Sequence, residues 1–319
     1  MKFTEAQLQS YAAPLSKTED EKCKNAIGMV RDALKLLDFT DDYKPITKTH
    51  DDIMDYSLVM RSAVSNRKVK IFIQGSYANN TNVRTESDVD IAIVQEEVFK
   101  PKYRNGVSGS SYGFIDIPLA IVSFKDEVED CLKRKFDTDV ERRNKSIKVY
   151  GNSYRKDADT VPCRRFRDYT NDYTFDQSNF VGGVVITPDV GSEIINYPEQ
   201  HIDNGRKKNS ETNHYYKRIV RIMKKMRHIM LDNKITTAKD VSSFGLESLL
   251  WNVENHEYLG YSSLGATFEE IMQFLIASSV NWSYYVEANG IKPLFSSDYE
   301  KEAYANFMYD LASFYEYDA

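Results

Sequence analysis

The stretch from residue 69 to residue 94 constrains this chain more than any other. Val69-Lys70-Ile71-Phe72-Ile73 alternates as a strand and runs into Gly75-Ser76, a strand-to-turn exit. Asn79-Asn80-Thr81-Asn82 is turn material. Asp88-Val89-Asp90-Ile91-Ala92-Ile93-Val94 is the next strand. Residues two apart on a strand share a face. Asp88 and Asp90 therefore stand side by side, with Val89, Ile91 and Ile93 on the opposite, core-facing side. Two neighbouring carboxylates repel each other. A divalent cation removes that penalty, and oxygen-only ligands suit Mg²⁺. Two such ions about 4 Å apart can bridge the attacking and leaving oxygens of a phosphoryl transfer. Gly75-Ser76 offers backbone N–H groups and a hydroxyl, which suit a triphosphate. An Asp-x-Asp pair alone is commonly a solvated strand edge, and Gly-Ser alone a plain turn. The ordered set of strand, Gly-Ser and Asp-x-Asp within a second apolar strand is far more specific.

The rest of the chain supplies context. Ser16-Lys17-Thr18-Glu19 is a capping box, and apolar residues at 27, 30, 34 and 37 predict a helix over 17–38. A second helix is expected over 51–64, a polar loop over 101–114 and a helix over 126–136. Strands are expected at 146–150, at 156–161, ended by Pro162, and at 181–187. From Asn209 the pattern is helical, with Asn209-Ser210-Glu211-Thr212 as a start signal. Tyr216, Ile219, Val220, Met223, Met226 and Met230 form one apolar stripe. Further helices are expected at 243–254, 267–278 and 298–314. The fold class is α+β and bilobal. A sheet-and-helix catalytic lobe occupies residues 1–165, and a mainly helical lobe occupies 166–319.

Composition narrows the function classes. A chain of 319 residues holds about two domains. With 41% hydrophobic and 28% charged residues it is not disordered throughout. No apolar run nears the roughly 20 residues of a membrane span, the best being 117–124, and the N-terminus lacks a signal-peptide core. Cys23, Cys131 and Cys163 are scattered, which predicts neither a zinc site nor a disulfide framework and fits a reducing cytoplasm. With 42 basic and 48 acidic residues the net charge is −6, so duplex nucleic acid is a poor candidate ligand.

Gly75-Ser76 followed by Asp88-x-Asp90 resembles the signature of the polymerase-β-like nucleotidyltransferase superfamily. The superfamily carries a third carboxylate on a later strand, here within Asp157-Ala158-Asp159-Thr160-Val161-Pro162. Asp157 and Asp159 share a face, so parity does not choose between them. The family pattern of Asp, an apolar residue, Val and Pro favours Asp159. Lys217, Arg221 and Lys224 cluster on one flank of a helix, about 130° from its apolar stripe. That helix resembles the family's helix bearing a triphosphate-binding lysine, with Lys224 the best match. Lys224 lies off the stripe, so its removal is expected to create no cavity and to weaken nucleotide use more than it disturbs the fold. Ser242-Ser243-Phe244 resembles a segment of cyclic GMP-AMP synthase and its bacterial relatives, in which the second serine contacts the triphosphate and the aromatic stacks on a base. The bland readings are a helix cap for Ser243 and core packing for Phe244. The segment 194–209 also looks like the bacterial branch, the cyclic-oligonucleotide synthases of anti-phage signalling. His201 is read as structural.

The resemblance implies a template-independent nucleotidyltransferase that joins nucleoside triphosphates, releases pyrophosphate and closes a cyclic di- or trinucleotide. It implies two Mg²⁺ ions, with Mn²⁺ as an alternative, held by Asp88, Asp90 and Asp159. The nucleotide is expected at Gly75, Ser76, Lys224, Ser243 and Phe244, with Lys217 and Arg221 as weaker candidates. The expected state is a cytoplasmic monomer whose product acts on an effector. The alternatives are a transferase of single nucleotides to a protein, an RNA end or a small molecule, and a non-catalytic nucleotide sensor.

Overall fold

Runs of apolar and β-branched residues become strands, and capped amphipathic segments become helices. The computed structural model describes residues 1–41, 47–48, 56–83, 88–115 and 122–318. In chain order the elements are β1 (Lys2–Thr4), α1 (Glu5–Ala12), α2 (Lys17–Leu34), β2 (Phe39–Asp41), β3 (Thr47–Lys48), β4 (Tyr56–Ser62), β5 (Lys68–Gln74), α3 (Gly75–Ala78) and β6 (Val89–Lys102). They continue with α4 (Phe124–Phe136), β7 (Val140–Arg142), β8 (Ile147–Val149), β9 (Ala158–Asp168), β10 (Val181–Ile186) and β11 (Ile194–Asn196). The last are α5 (Pro198–Glu211), α6 (Tyr215–Asp232), α7 (Ser243–Trp251), α8 (Leu264–Ala277), α9 (Asp298–Phe314) and β12 (Glu316–Asp318).

The chain divides into two compact units. One holds residues 16–77 and 88–198; the other gathers 1–15, 78–87 and 199–319. The expected boundary at residue 165 falls inside β9, a strand the sheet unit keeps whole.

The sheet unit is built on the strand order β11-β10-β9-β6-β5-β4-β2, with β3 beside β4 and β7-β8 beside β9. β6 and β9 run parallel; the other pairs of this sheet are antiparallel. β6 is central, and Ile91, Ala92, Ile93 and Val94 are all fully buried, as a strand covered on both faces requires. α2 packs against β5 and β6, and α4 against β9. The capping box at Ser16 forms as expected, with Glu19 Oε2 accepting the Ser16 N–H at 3.3 Å.

Three expectations need correction here. Residues 51–55 lie outside the described residues, and 56–62 is a strand rather than a helix. Tyr56, Leu58 and Met60 are its buried face, a period of two that pairing with β5 selects. Residues 101–102 still belong to β6. Pro162 does not end a strand either. β9 passes through it, because the neighbour on one side changes there, from β8 at 158–160 to β10 at 164–168. A residue without an N–H is tolerated where one side of a strand has no partner. Of the apolar run at 117–124, residues 117–121 lie outside the described residues. The three cysteines are buried and none of them forms a disulfide.

The helical unit is centred on α6. The expected stripe from Tyr216 to Met230 is fully buried, and Leu246, Leu249, Leu250, Phe268, Phe307 and Leu311 join it in one core. Phe3, Leu8 and Ala12 complete that core, and β1 pairs parallel with β12. Asn209 lies inside α5 rather than at the start of a helix. Its side chain still caps the next helix, since Oδ1 accepts the Lys217 N–H at 3.1 Å. The break between the two helices is made by Asn213 and His214, both left-handed.

Candidate active site

Strand register assembles the acidic site. Gln74 on β5 stands opposite Asp90 on β6, Asp90 opposite Asp159 on β9, and Asp159 opposite Lys148 on β8. Cross-strand partners share a face, so these four side chains form one row across the sheet. Asp88 and Asp157 each lie two residues before a member of the row. They are joined through the backbone by the Val89 N–H, which donates to the Asp157 carbonyl at 2.8 Å.

Gly75 turns the chain directly beside this row. Its φ is +68°, and a Cβ built there would lie 2.6 Å from Asp90 Oδ2. The left-handed backbone and the close approach both require glycine. Ser76 follows on α3, half-buried.

The charges are crowded. Burial, then Asp159 and Asp88, push the Asp90 carboxyl up to about 7, with Lys148 opposing. Burial also raises Asp159, against the pull of Arg143 and Lys148. Asp159 Oδ1 is buried without a hydrogen-bond partner; the Arg143 guanidinium lies 3.6 Å away. Asp157 differs. Burial would raise its pKa, but the Lys148 ammonium and the Gly151 N–H outweigh that and lower it. Gly151 donates to Asp157 Oδ1 at 2.6 Å, and Lys148 Nζ lies 3.0 Å from Oδ2. Asp157 is thus already occupied, whereas Asp159 faces Asp90. Lys148 also donates to Asp88 Oδ2.

These residues fit divalent cations. The donors are hard oxygens, one buried carboxylate oxygen is orphaned, and a lysine ammonium already stands in as a cation. Among the described residues, no three acidic, histidine or cysteine side chains yet enclose a common point.

In the helical unit the three basic residues of α6 are not a solvated flank. Lys217, Arg221 and Lys224 are all buried. Arg221 Nε donates to the Ala12 carbonyl at 2.6 Å and Nη1 to the Asn80 carbonyl. Lys224, 3% exposed, donates to Glu247 Oε2 at 2.5 Å and to Thr81 Oγ1 at 3.2 Å. His201 Nε2 lies 3.0 Å from Glu247 Oε1. Burial would raise the Glu247 pKa, but Lys224 and His201 pull it far below the usual carboxylate range. Removing Lys224 therefore leaves a buried acid short of its main partner, a cost to the fold that its place off the apolar stripe did not reveal. The N-cap of α7 is Ser242, whose Oγ accepts the Gly245 N–H at 2.9 Å, so capping does not explain Ser243. Core packing does not explain Phe244, which is 44% exposed and meets the His201 ring edge-on at 5.4 Å.

Sequence reasoning missed Lys148 and Glu247. Lys148 sits in a short strand with no flanking signal. Glu247 did carry one, as the lone acid in the otherwise apolar or small-residue run 245–250.

Two family models match this chain. The nucleotidyltransferase domain covers residues 53–176, and the cGAS/DncV-like nucleotidyltransferase C-terminal helical domain covers 203–316. A relative from Staphylococcus schleiferi, a cyclic GMP-AMP synthase CdnE03, is 44% identical over 99% of this chain and 98% of its own length. The chain belongs to the bacterial cyclic nucleotide synthases. It is a nucleotidyltransferase that joins nucleoside triphosphates into a cyclic product. A cyclic dipurine nucleotide synthase from Elizabethkingia meningoseptica is 34% identical over 93% of the chain and 92% of its own length. The solved structure of the CdnE cyclic dinucleotide synthase from that organism, with GTP and Apcpp, superposes with a TM-score of 0.72. It is 32% identical and covers 98% of each chain. A Rhodothermus marinus c-UMP-AMP synthase at 24% identity and TM-score 0.74, covering 97% of this chain and 96% of its own, shares the fold. No described helix is long and apolar enough to cross a membrane.

Proposed function

We propose that this synthase makes a cyclic dinucleotide from purine triphosphates and serves anti-phage signalling through an effector that reads the product. The observation that carries the catalytic part is the row in which Asp90 and Asp159 face each other, with Gly75 held against Asp90. In this reading Asp88, Asp90 and Asp159 hold Mg²⁺, or Mn²⁺ in its place. Bound there, the ions would stabilise charge on the phosphoryl oxygens and on departing pyrophosphate. Gly75 and Ser76 receive the donor triphosphate. Asp159 is the partner of the acceptor hydroxyl. Asp157 anchors Lys148 and takes no part in the chemistry. In the helical unit, Ser243 and the exposed ring of Phe244 are the nucleotide contacts. Stacking tolerates every base. Lys224 reaches nucleotide only while keeping its bond to Glu247, and Lys217 and Arg221 serve the packing of α6 first.

The purine preference is supported by the relatives from Staphylococcus and Elizabethkingia, a cyclic GMP-AMP synthase and a cyclic dipurine synthase. The test is incubation with the four ribonucleotides and Mg²⁺, phosphatase treatment, and mass spectrometry. The expected result is a phosphatase-resistant cyclic dinucleotide, most abundant with GTP and ATP. If no phosphatase-resistant nucleotide product remains, cyclisation is wrong. A nucleotide-labelled protein, RNA or small molecule would establish single transfer instead.

A further inference from the structure

Two basic side chains approach the acidic row, and they are built differently. Arg143 is exposed and lies 3.6 Å from Asp159 Oδ1. Lys148 is 4% exposed and rises from β8 between Ile147 and Val149, both buried. Its ammonium bonds Asp88 on one side and Asp157, at 3.0 Å, on the other. Burial works to lower the Lys148 pKa, but these two carboxylates outweigh it and raise it. The stem is enclosed, so the ammonium stays in this part of the site. Its freedom is the choice between two acids.

A divalent cation drawing on Asp88 must compete with that ammonium for the carboxylate, and like charges at such range repel strongly. Asp157 is suited to receive the displaced ammonium. Its side chain is 42% exposed, its Oδ1 is pinned by the Gly151 N–H, and its Oδ2 already accepts from Lys148. A Cβ at residue 151 would lie 2.6 Å from that Oδ1, so glycine keeps the pin in place.

We infer that Lys148 is a positioning residue: it holds Asp88 in the nucleotide-free protein, and divalent metal loads only by shifting the ammonium from Asp88 onto Asp157. The bare site then binds metal weakly. A metal arriving with a triphosphate binds well, because the phosphate charge offsets the ammonium. The inference rests on the metal-binding reading of Asp88, Asp90 and Asp159.

The test is Mn²⁺ binding to the nucleotide-free protein, read as free Mn²⁺ by electron paramagnetic resonance. Lys148→Met should tighten binding about tenfold or more. Lys148→Arg should stay within about threefold of wild type, as should Arg143→Gln, which removes a nearby exposed charge. Unchanged or weaker Mn²⁺ binding in Lys148→Met overturns the inference. Equal tightening in Arg143→Gln does so too, because the effect would then be general electrostatics. Should Lys148→Met not fold by circular dichroism, Asp157→Asn decides. It removes the second anchor and should weaken Mn²⁺ about tenfold, whereas Asp130→Asn, on the exposed face of α4, should leave it within about threefold. Equal effects of those two overturn the inference. Asp90→Asn separates the two readings. Mn²⁺ binding that survives this change removes the metal reading itself, and this inference with it.

Discussion

The two units each bury a cluster of charge, and they treat it in opposite ways. In the helical unit Glu247 is met by Lys224, Thr81 and His201, and both of its oxygens are bonded from within the protein. In the sheet unit Asp90 and Asp159 face each other, and one carboxylate oxygen is left without a hydrogen-bond partner. The first cluster is closed and holds structure. The second is open, and folding leaves repulsion in place for something else to relieve. The contrast is the one expected between a charge network that serves packing first and the proposed metal-binding one.

The largest expected effect comes from the open cluster. Asp90→Asn should lower cyclic-product formation by several orders of magnitude, because a neutral amide is a poor ligand for a hard cation. The metal-free variant should melt at the same temperature as wild type or higher, since the change removes repulsion. A stabilised and inactive protein is the outcome to look for by calorimetry alongside product assay. Loss of stability would mean that this cluster is closed as well.

The closed cluster should respond in reverse. Glu247→Ala should cost about 3–5 kcal/mol by denaturant unfolding, because it strands a buried ammonium. Lys224→Ala should cost a similar amount for the converse reason. Lys224→Met combined with Glu247→Leu should recover most of the loss, as apolar replacements of buried pairs commonly do. Full additivity of the two single changes would deny the pairing.

A smaller effect separates Asp157 from Asp159. Asp159→Asn should be nearly as severe for activity as Asp90→Asn. Asp157→Asn should be mild in assays with saturating nucleotide and metal, since its carboxylate serves Lys148 and Gly151. The reverse order, read from product yields, would move the catalytic role to Asp157.

The smallest effect is a pH dependence in the helical unit. Lys208 is buried, and Nζ donates to the Val253 carbonyl. Burial lowers its pKa to about 8, against weaker opposing pulls from Glu211 and Glu254. Between about pH 8 and the ordinary lysine value near 10.5, the unfolded chain binds more protons than the folded one. This residue's contribution to stability therefore rises with pH through that window. Lys208→Met should flatten that rise in melting curves taken from pH 8 to 10.5.

The open cluster was the more legible of the two in the sequence. Asp88, Asp90 and Gly75-Ser76 are local, and strand parity alone puts the carboxylates on one face. Parity left Asp159 level with Asp157, and the local Asp-x-Val-Pro pattern of the resemblance favoured Asp159. The register opposite Asp90 and the Lys148 ammonium on Asp157 add a physical difference between the two that needs strand pairing across the sheet. The stripe of α6 was legible because its period is strong, and the span 298–314 of α9 matches its expectation. The partners of Lys224 were not legible. A basic residue on the flank of a stripe reads as solvated until another helix and the segment at 78–83 close over it. Tyr56–Ser62 was misread because a short apolar alternation near polar residues fits a helix or a strand, and only pairing with β5 decides.

The helical unit draws its core from both extremes of the chain. Phe3, Leu8 and Ala12 pack with residues from 216 onward, and β1 pairs with β12. A ribosome makes those first residues long before their partners exist. The sheet unit's residues 16–77 and 88–198 are complete once residue 198 has been made. Domains fold as units during synthesis, and contacts of long sequence separation close slowly. The sheet unit is therefore expected to fold first, while Phe3 and Leu8 still lack the partners of their core.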